Sequence, residues 1–314
     1  MSHNVLFEIG IEELPARFID DAEAQLLQKT KTWLTEQRLT WGTLETFSTP
    51  RRLAIRIRDI ADKQAPFVEE VRGPALKIAK DEAGNWTKAA IGFTKGQGKS
   101  VDDIYTRELK GTTYIYVKKQ IEGKPTKEIL SGIKHIIESI QFGKNMRWST
   151  ETLKYARPIR WLVALYDEDI VPFEIASVKT GNKTFGHRFL GKEIILTKAE
   201  DYPKVLKEEY VIVNAKEREE MILNQIKQLE TENDIIIPVD DGLLDEVRNL
   251  VEYPTVFMGS FEDKYLDLPS EVLITSMKEH QRYFPVKTKN GKLLSKFVGV
   301  RNGNDYEIST VVRG

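Results

Sequence analysis

The 314-residue chain contains no cysteine. Disulfides, thiol nucleophiles and Cys-ligated zinc are therefore excluded. Histidine is scarce: His3, His135, His187 and His280 are the full set, and no pair sits at ligand spacing on one helix. There is no HExxH, no Gly-x-Ser-x-Gly elbow and no Ser-His-Asp order, so no catalytic residue and no metal site are assigned. Net charge is also lacking. Lys and Arg number 47 against 48 Asp and Glu, leaving −1. A dedicated nucleic-acid module is usually strongly basic, although a basic face offset by acidic surface elsewhere fits the same total. No window approaches the roughly 18 consecutive apolar residues of a membrane span. The opening MSHNVLFEIGIEELP has no basic stretch ahead of a long apolar one and is not a signal peptide. The expected compartment is the cytoplasm, with no membrane partner. Internal repeats and low-complexity linkers are absent too.

One near-motif is set aside. Residues 92–100, GFTKGQGKS, resemble a phosphate loop, but a P-loop needs Gly five residues before Gly-Lys-Ser, and Phe93 stands there. A Gly-rich turn is expected instead.

What remains is a globular composition, 40% hydrophobic and 30% charged. Residues 5–10 alternate as a strand. Glu12, Glu13 and Pro15 open a helix whose apolar stripe, Phe18, Ala22, Leu26 and Trp33, runs to about residue 38. Strands follow at 44–47 and 53–60, giving a β-α-β-β unit. Further strands are expected at 67–72, 112–121, 162–166, 170–176, 184–190, 210–214 and 293–300. Helices are expected at 89–93, 124–140, 197–209, 216–233, 240–251 and 270–281, the last capped by Ser270. The fold class is α+β, with mixed sheets and packed helices in a multi-domain chain. Residues 1–60 form the N-terminal unit, packed with an α+β region at 61–177. A second α+β region covers 178–314, with helices within 197–233 and 240–281. Ser309-Thr310-Val311-Val312 reads as a strand still in progress, so the chain is expected to be part of something longer.

Basic residues beside aromatics recur at element ends. Arg51, Arg52, Arg147, Arg157, Arg160, His187, Arg188, Lys278, His280 and Arg282 are the candidate binding residues. Arg forks match phosphate geometry, and aromatic rings stack on unpaired bases. Such pairs also occur as plain surface packing, and Lys278–Arg282 reads equally as a solvated helix end at the negative pole of its dipole.

Several segments carry a resemblance. Phe7-Glu8-Ile9-Gly10-Ile11-Glu12-Glu13-Leu14-Pro15-Ala16-Arg17 resembles the opening signature of the bacterial glycyl-tRNA synthetase β subunit family. Thr49-Pro50-Arg51-Arg52-Leu53-Ala54, Met146-Arg147-Trp148, Arg157-Pro158-Ile159-Arg160-Trp161, Gly186-His187-Arg188-Phe189, Val251-Glu252-Tyr253-Pro254 and Met277–Val286 resemble later landmarks in the same order. The resemblance implies a tetramer of two α and two β subunits that carries out ATP-dependent attachment of glycine to tRNA(Gly) in protein biosynthesis. The α subunit would hold the class II active site and use ATP and Mg2+; this chain would bind no cofactor. Its implied role is tRNA recognition and α-subunit assembly, and alone it would be inactive. Family members are about twice this length, with an HD-type domain and an anticodon-binding domain that are absent here. The N-terminal region is expected to resemble domains of the phenylalanyl-tRNA synthetase β chain. Two alternatives stay open: a protein-interaction scaffold without tRNA contact, and an editing hydrolase, for which no nucleophile or metal constellation is present.

Overall fold

A computed structural model describes residues 2–148 and 152–305. Strand β1 (Ser2–Ile11) is its centre. Odd positions Val5, Phe7, Ile9 and Ile11 face one way and even positions Leu6 and Glu8 the other, and all six are buried. Such a strand needs cover on both sides. Helix α1 (Ile19–Glu36) supplies it on the first face through Ile19, Ala22, Leu26 and Leu34, which recur at helical spacing.

Strands β2 (Thr43–Thr49) and β3 (Arg52–Ala61) return beside β1, in the expected β-α-β-β order. A separate antiparallel sheet follows. It consists of β4 (Phe67–Ala75), β5 (Tyr105–Leu109) and β6 (Thr112–Ile121), in the order β4-β6-β5. Helices α2 (Leu76–Ala79) and α3 (Lys88–Gly96) cover one side of it. The Gly-rich segment at 92–100 thus ends α3 and turns; it does not cradle a phosphate from a strand.

The expected helix at 124–140 is broken into α4 (Thr126–Ile129), a 3-10 turn and α5 (Ile133–Glu138). The break falls at Gly132, where a Cβ would lie 3.1 Å from the Trp33 ring. Ile133, Ile136 and Ile137 join the α1 core.

Strand β7 (Ile159–Tyr166) then enters the first sheet on the free side of β1. Strands β8 (Asp169–Ile170), β9 (Glu174–Ile175) and β10 (Val178–Gly181) complete it. The path is β2-β3-β1-β7-β10-β9, with β8 also on β7. Only the β7–β10 pairing is parallel, so the sheet is mixed and the chain is α+β. The segment at 170–176 is not one strand, because its pairing changes from β7 to β10 within six residues.

A short hairpin follows, β11 (Lys183–Phe185) and β12 (Glu193–Ile195). It ends at Phe185; residues 187–190 turn instead of continuing as expected. Helix α6 (Tyr202–Glu208) covers the second face of the large sheet, packing Tyr202 and Leu206 on Leu6, Trp161 and Leu165. The segment at 210–214 forms no strand. Its backbone bonds are divided, Val213 accepting from Ser48 and Ile212 donating to Glu252.

Helix α7 (Ala215–Asn233) is capped by the Asn214 side chain and ends on Asp234 in the left-handed region. Helix α8 (Asp241–Arg248) is capped by Asp240. Both pack on a third sheet, made of β13 (Pro254–Ser260), β14 (Phe284–Lys287) and β15 (Leu293–Asn302), through a core including Ile222, Leu244, Phe284 and Val298. Helix α9 (Ser270–Thr275) begins after Pro269, and Ser270 forms no side-chain cap. It widens into a π turn at Ser276–Gln281, closed by Arg282 in the left-handed region. The strand expected at 309–312 lies outside the described residues. Among the described residues no helix is long and apolar enough to cross a membrane.

Candidate functional site

The second face of the large sheet carries charge where a core would ordinarily be apolar. Gly10 pairs with Arg52 on one side and with Trp161 on the other. A Cβ at position 10 would lie 1.9 Å from the Trp161 ring, so glycine lets the indole lie across the strand. The indole N–H then donates to Glu8. Arg51 and Arg52 lie with their guanidinium carbons 5.7 and 5.6 Å from the same ring.

Glu252, only 1% exposed, holds these cations. Its carboxylate accepts from Thr49 Oγ1 at 2.8 Å, Arg52 Nη2 at 3.1 Å and Arg51 Nη1 at 3.4 Å. Arg52 also donates to the Phe185 carbonyl at 2.8 Å and to Thr184 Oγ1 at 3.4 Å, and Thr184 donates to Glu8 at 2.7 Å. Burial alone would raise the Glu252 pKa. The charges of Arg52 and Arg51, with the Thr49 hydroxyl, overcome that and hold it below the ordinary glutamate range. Burial likewise opposes the Arg52 charge, yet Glu252 and Glu8 raise its pKa above the usual value.

The network reaches outward through His187. Its Nδ1 accepts from the Phe189 and Leu190 amides, both at 3.3 Å. Nδ1 is therefore unprotonated, and Nε2 donates to Asn302 Oδ1 at 3.1 Å. The same Oδ1 accepts from the Glu252 amide at 2.8 Å. Burial pushes the His187 pKa below its usual value, despite the opposing charge of Glu252. The turn is fixed further by Gly186 and Gly191, where an added Cβ would come within 2.8 and 2.5 Å of the Glu209 carbonyl oxygen. It presents Phe189 to solvent, 85% exposed.

Between this turn and β7 lies a cleft of about 270 Å³, lined by Ile11, Glu12, Arg51, Arg160, Trp161, Phe185 and Arg188. Arg160 and Arg188 have side chains 61% and 44% exposed. Glu12 meets Arg160 at 3.4 Å and Arg188 at 3.3 Å, while Glu13 meets Arg188 at 3.2 Å. Arg157 does not line the cleft but joins this group through Glu13, donating to its carbonyl at 3.0 Å.

The structure thus brings six of the ten sequence candidates together, in two layers. Arg51, Arg52 and His187 form the buried support; Arg157, Arg160 and Arg188 lie above it. The other four lie elsewhere. Arg147 is exposed on the loop before β7. On the π turn, Lys278 pairs with Asp240 at 2.7 Å, His280 is exposed, and Arg282 pairs with Glu246 at 2.8 Å. Sequence reasoning missed Glu252, Glu8, Thr184 and Phe189. The one signal for Glu252 was an acid within the apolar run at 250–257. Among the described residues no group of three or more His, Asp or Glu could hold a metal ion.

Glu252 and His187 shift stability in the same direction. Each folded pKa lies below its ordinary value, 4.5 and 6.5 respectively. Between the folded and ordinary values the unfolded chain binds the proton more readily, so stability rises with pH there. The urea midpoint is expected to be level above about pH 7, to fall as pH drops through the ordinary histidine value, and to fall again below about pH 4.5. A midpoint that rises from pH 7 to 5.5 would contradict this.

The sequence pattern of the glycyl-tRNA synthetase beta subunit family matches residues 5–314. The glycine–tRNA ligase beta subunits of Oceanobacillus iheyensis, Halalkalibacterium halodurans and Pediococcus pentosaceus are 61%, 53% and 53% identical to this chain, over 100%, 98% and 100% of its length. The chain spans 45%, 45% and 46% of those relatives' own lengths. With a match that begins at the fifth residue and runs to the last, the chain belongs to the glycyl-tRNA synthetase beta subunit family.

Proposed function

We propose that this chain is the part of a glycine–tRNA ligase that contacts tRNA(Gly) and helps assemble the α subunit, supporting ATP-dependent glycylation of tRNA in the cytoplasm without itself supplying a catalytic residue. ATP and Mg2+ would act on the α subunit. The observation that carries the tRNA reading is the Arg160–Arg188 cleft, with Phe189 beside it on a rigid turn. The arginines are paired with Glu12 and Glu13, but those pairs are exposed and at 3.2 to 3.4 Å. Exposed pairs of this kind contribute little stability. A phosphate offers more charge and a better match to the arginine fork, so it displaces Glu12 at small cost. The buried layer keeps Arg51 and the turn in place while this happens.

The test uses the complete β subunit assembled with its α partner. Arg160→Gln/Arg188→Gln is expected to weaken tRNA binding about tenfold at moderate salt and to reduce the salt dependence by about two released counterions. Glycyl-adenylate formation by the tetramer should be unchanged. Unaltered affinity and an unaltered salt slope would move tRNA contact elsewhere. The second reading, a protein-interaction scaffold, is favoured by Phe189, because an exposed aromatic can equally anchor a protein. Loss of α-subunit capture in Phe189→Ala, with tRNA affinity intact, would select it.

A further inference from the structure

We propose that the open face of the β4-β6-β5 sheet binds single-stranded RNA, with Tyr114, Arg72 and Tyr105 stacking unpaired bases and Arg107 and Lys118 meeting phosphates. The face is defined by register. Arg72 pairs with Tyr116, which pairs with Tyr105; Glu70 pairs with Lys118, and Arg107 with Tyr114. Alternation sends Ile115 and Val117 the other way, and Ile115 buries with Ala79 and Ala90 under α2 and α3. The tyrosine side is more open: Arg107 is 66% exposed and Arg72, Val68 and Leu109 are exposed, while Tyr116 is buried among its neighbours at the centre.

Aromatic and cationic groups interleave across this face. Arg72 lies 5.0 Å over the Tyr114 ring and Lys118 lies 5.7 Å over Tyr105. Tyr105 and Tyr116 stack at 5.7 Å. Three cations, Arg72, Arg107 and Lys118, stand against one carboxylate, Glu70, which Arg107 holds at 3.3 Å. The patch is therefore positive on a chain whose net charge is −1. At Thr112 the face meets a cleft of about 680 Å³ that Lys77, Lys80, Asp81 and Glu82 also line.

This chemistry selects the ligand. Tyrosine rings and guanidinium planes stack only on bases that are not already paired, and cations beside them track a phosphate backbone. Duplex RNA hides its base faces from a sheet. Tyr and Arg occur in protein-docking faces too, but such faces are depleted of Lys and Glu, whereas here Lys118 and Glu70 lie among the tyrosines. None of these residues belongs to the Arg160–Arg188 cleft, so the inference does not depend on the tRNA reading of that cleft.

The test is fluorescence anisotropy of the 314-residue chain with a single-stranded oligouridylate of about 12 nucleotides, and with the same length as duplex. The single strand is expected to bind more tightly than the duplex. Tyr114→Ala should weaken single-strand binding about tenfold and Tyr114→Phe less than about twofold, because the stacking surface is kept. Arg72→Gln/Arg107→Gln should weaken binding and flatten its salt dependence. Tyr114→Ala on the Arg160→Gln/Arg188→Gln background should weaken single-strand binding by the same factor as in the unaltered chain, so failure of the cleft reading and failure of this one are separable. Equal affinity for duplex overturns the proposal. So does undiminished single-strand affinity in Tyr114→Ala at an unchanged melting temperature, or loss of α-subunit capture in that variant with RNA affinity intact.

Discussion

Glu252→Gln is expected to destabilise the chain by about 3–5 kcal/mol, read as a lower urea midpoint at unchanged m-value. The substitution keeps the shape and removes only the charge. Arg51 can turn toward water, since its side chain is 13% exposed. Arg52 cannot; it is fully buried, and its remaining acidic neighbour is Glu8, which already accepts from Trp161 and Thr184. An uncompensated buried cation is the costly outcome of breaking such a pair. Removing both charges should be milder. Arg52→Met/Glu252→Met is expected to cost less than Glu252→Gln alone, because the Arg52 cation is no longer left unbalanced and Glu8 keeps its bonds from Trp161 and Thr184. A loss below about 1 kcal/mol for Glu252→Gln would show that Arg52 is adequately balanced by Glu8.

Arg218→Met should follow, at about 2–4 kcal/mol. Arg218 is fully buried on α7 and donates to three carbonyls: Ile212 at 2.7 Å, Ser48 at 2.8 Å and Arg248 at 3.0 Å. These lie on the connector before α7, on β2 and at the end of α8. One guanidinium thus ties the third sheet's helices to the first sheet. Methionine fills similar volume but leaves three acceptors without a donor. The loss is tempered because burial already opposes the charge, pulling the Arg218 pKa down to about 10. Arg218→Lys should fall between the two, since one ammonium cannot reach all three carbonyls in a fork. Urea midpoints of the three forms check the order.

Much of the local structure was legible in the sequence, and little of the long-range structure was. The β-α-β-β start, the strand at 112–121 and α7 follow from alternation and helical spacing, both of which are local signals. The joining of β1 to β7 is not local, and no periodicity marks which strand completes a sheet. The same limit applies to the site. An Arg-Arg pair after a turn suggests an exposed phosphate grip; its burial depends on Glu252, 200 residues away. The turn at 187–190 has no sequence signature distinct from a strand, because its cause is a histidine ring capturing two amides. The widening at Ser276–Gln281 left the apolar spacing of α9 nearly intact, so nothing in the pattern announced it. The family itself was legible through the order of its landmarks, not through any single element.

The Arg52–Glu252 pairing also orders events during synthesis. β1 and β3 leave the ribosome close together, but the acid that balances Arg52 is added 200 residues later. At elongation rates of about 5–20 residues per second, the two strands wait roughly 10–40 s for this counter-charge. Trp161 and the α6 cover are added within that interval, but Arg52 must stay hydrated until Glu252 follows. β1 and β3 are therefore made well before their second face can close, which gives the nascent chain a long interval in which a chaperone can hold that face.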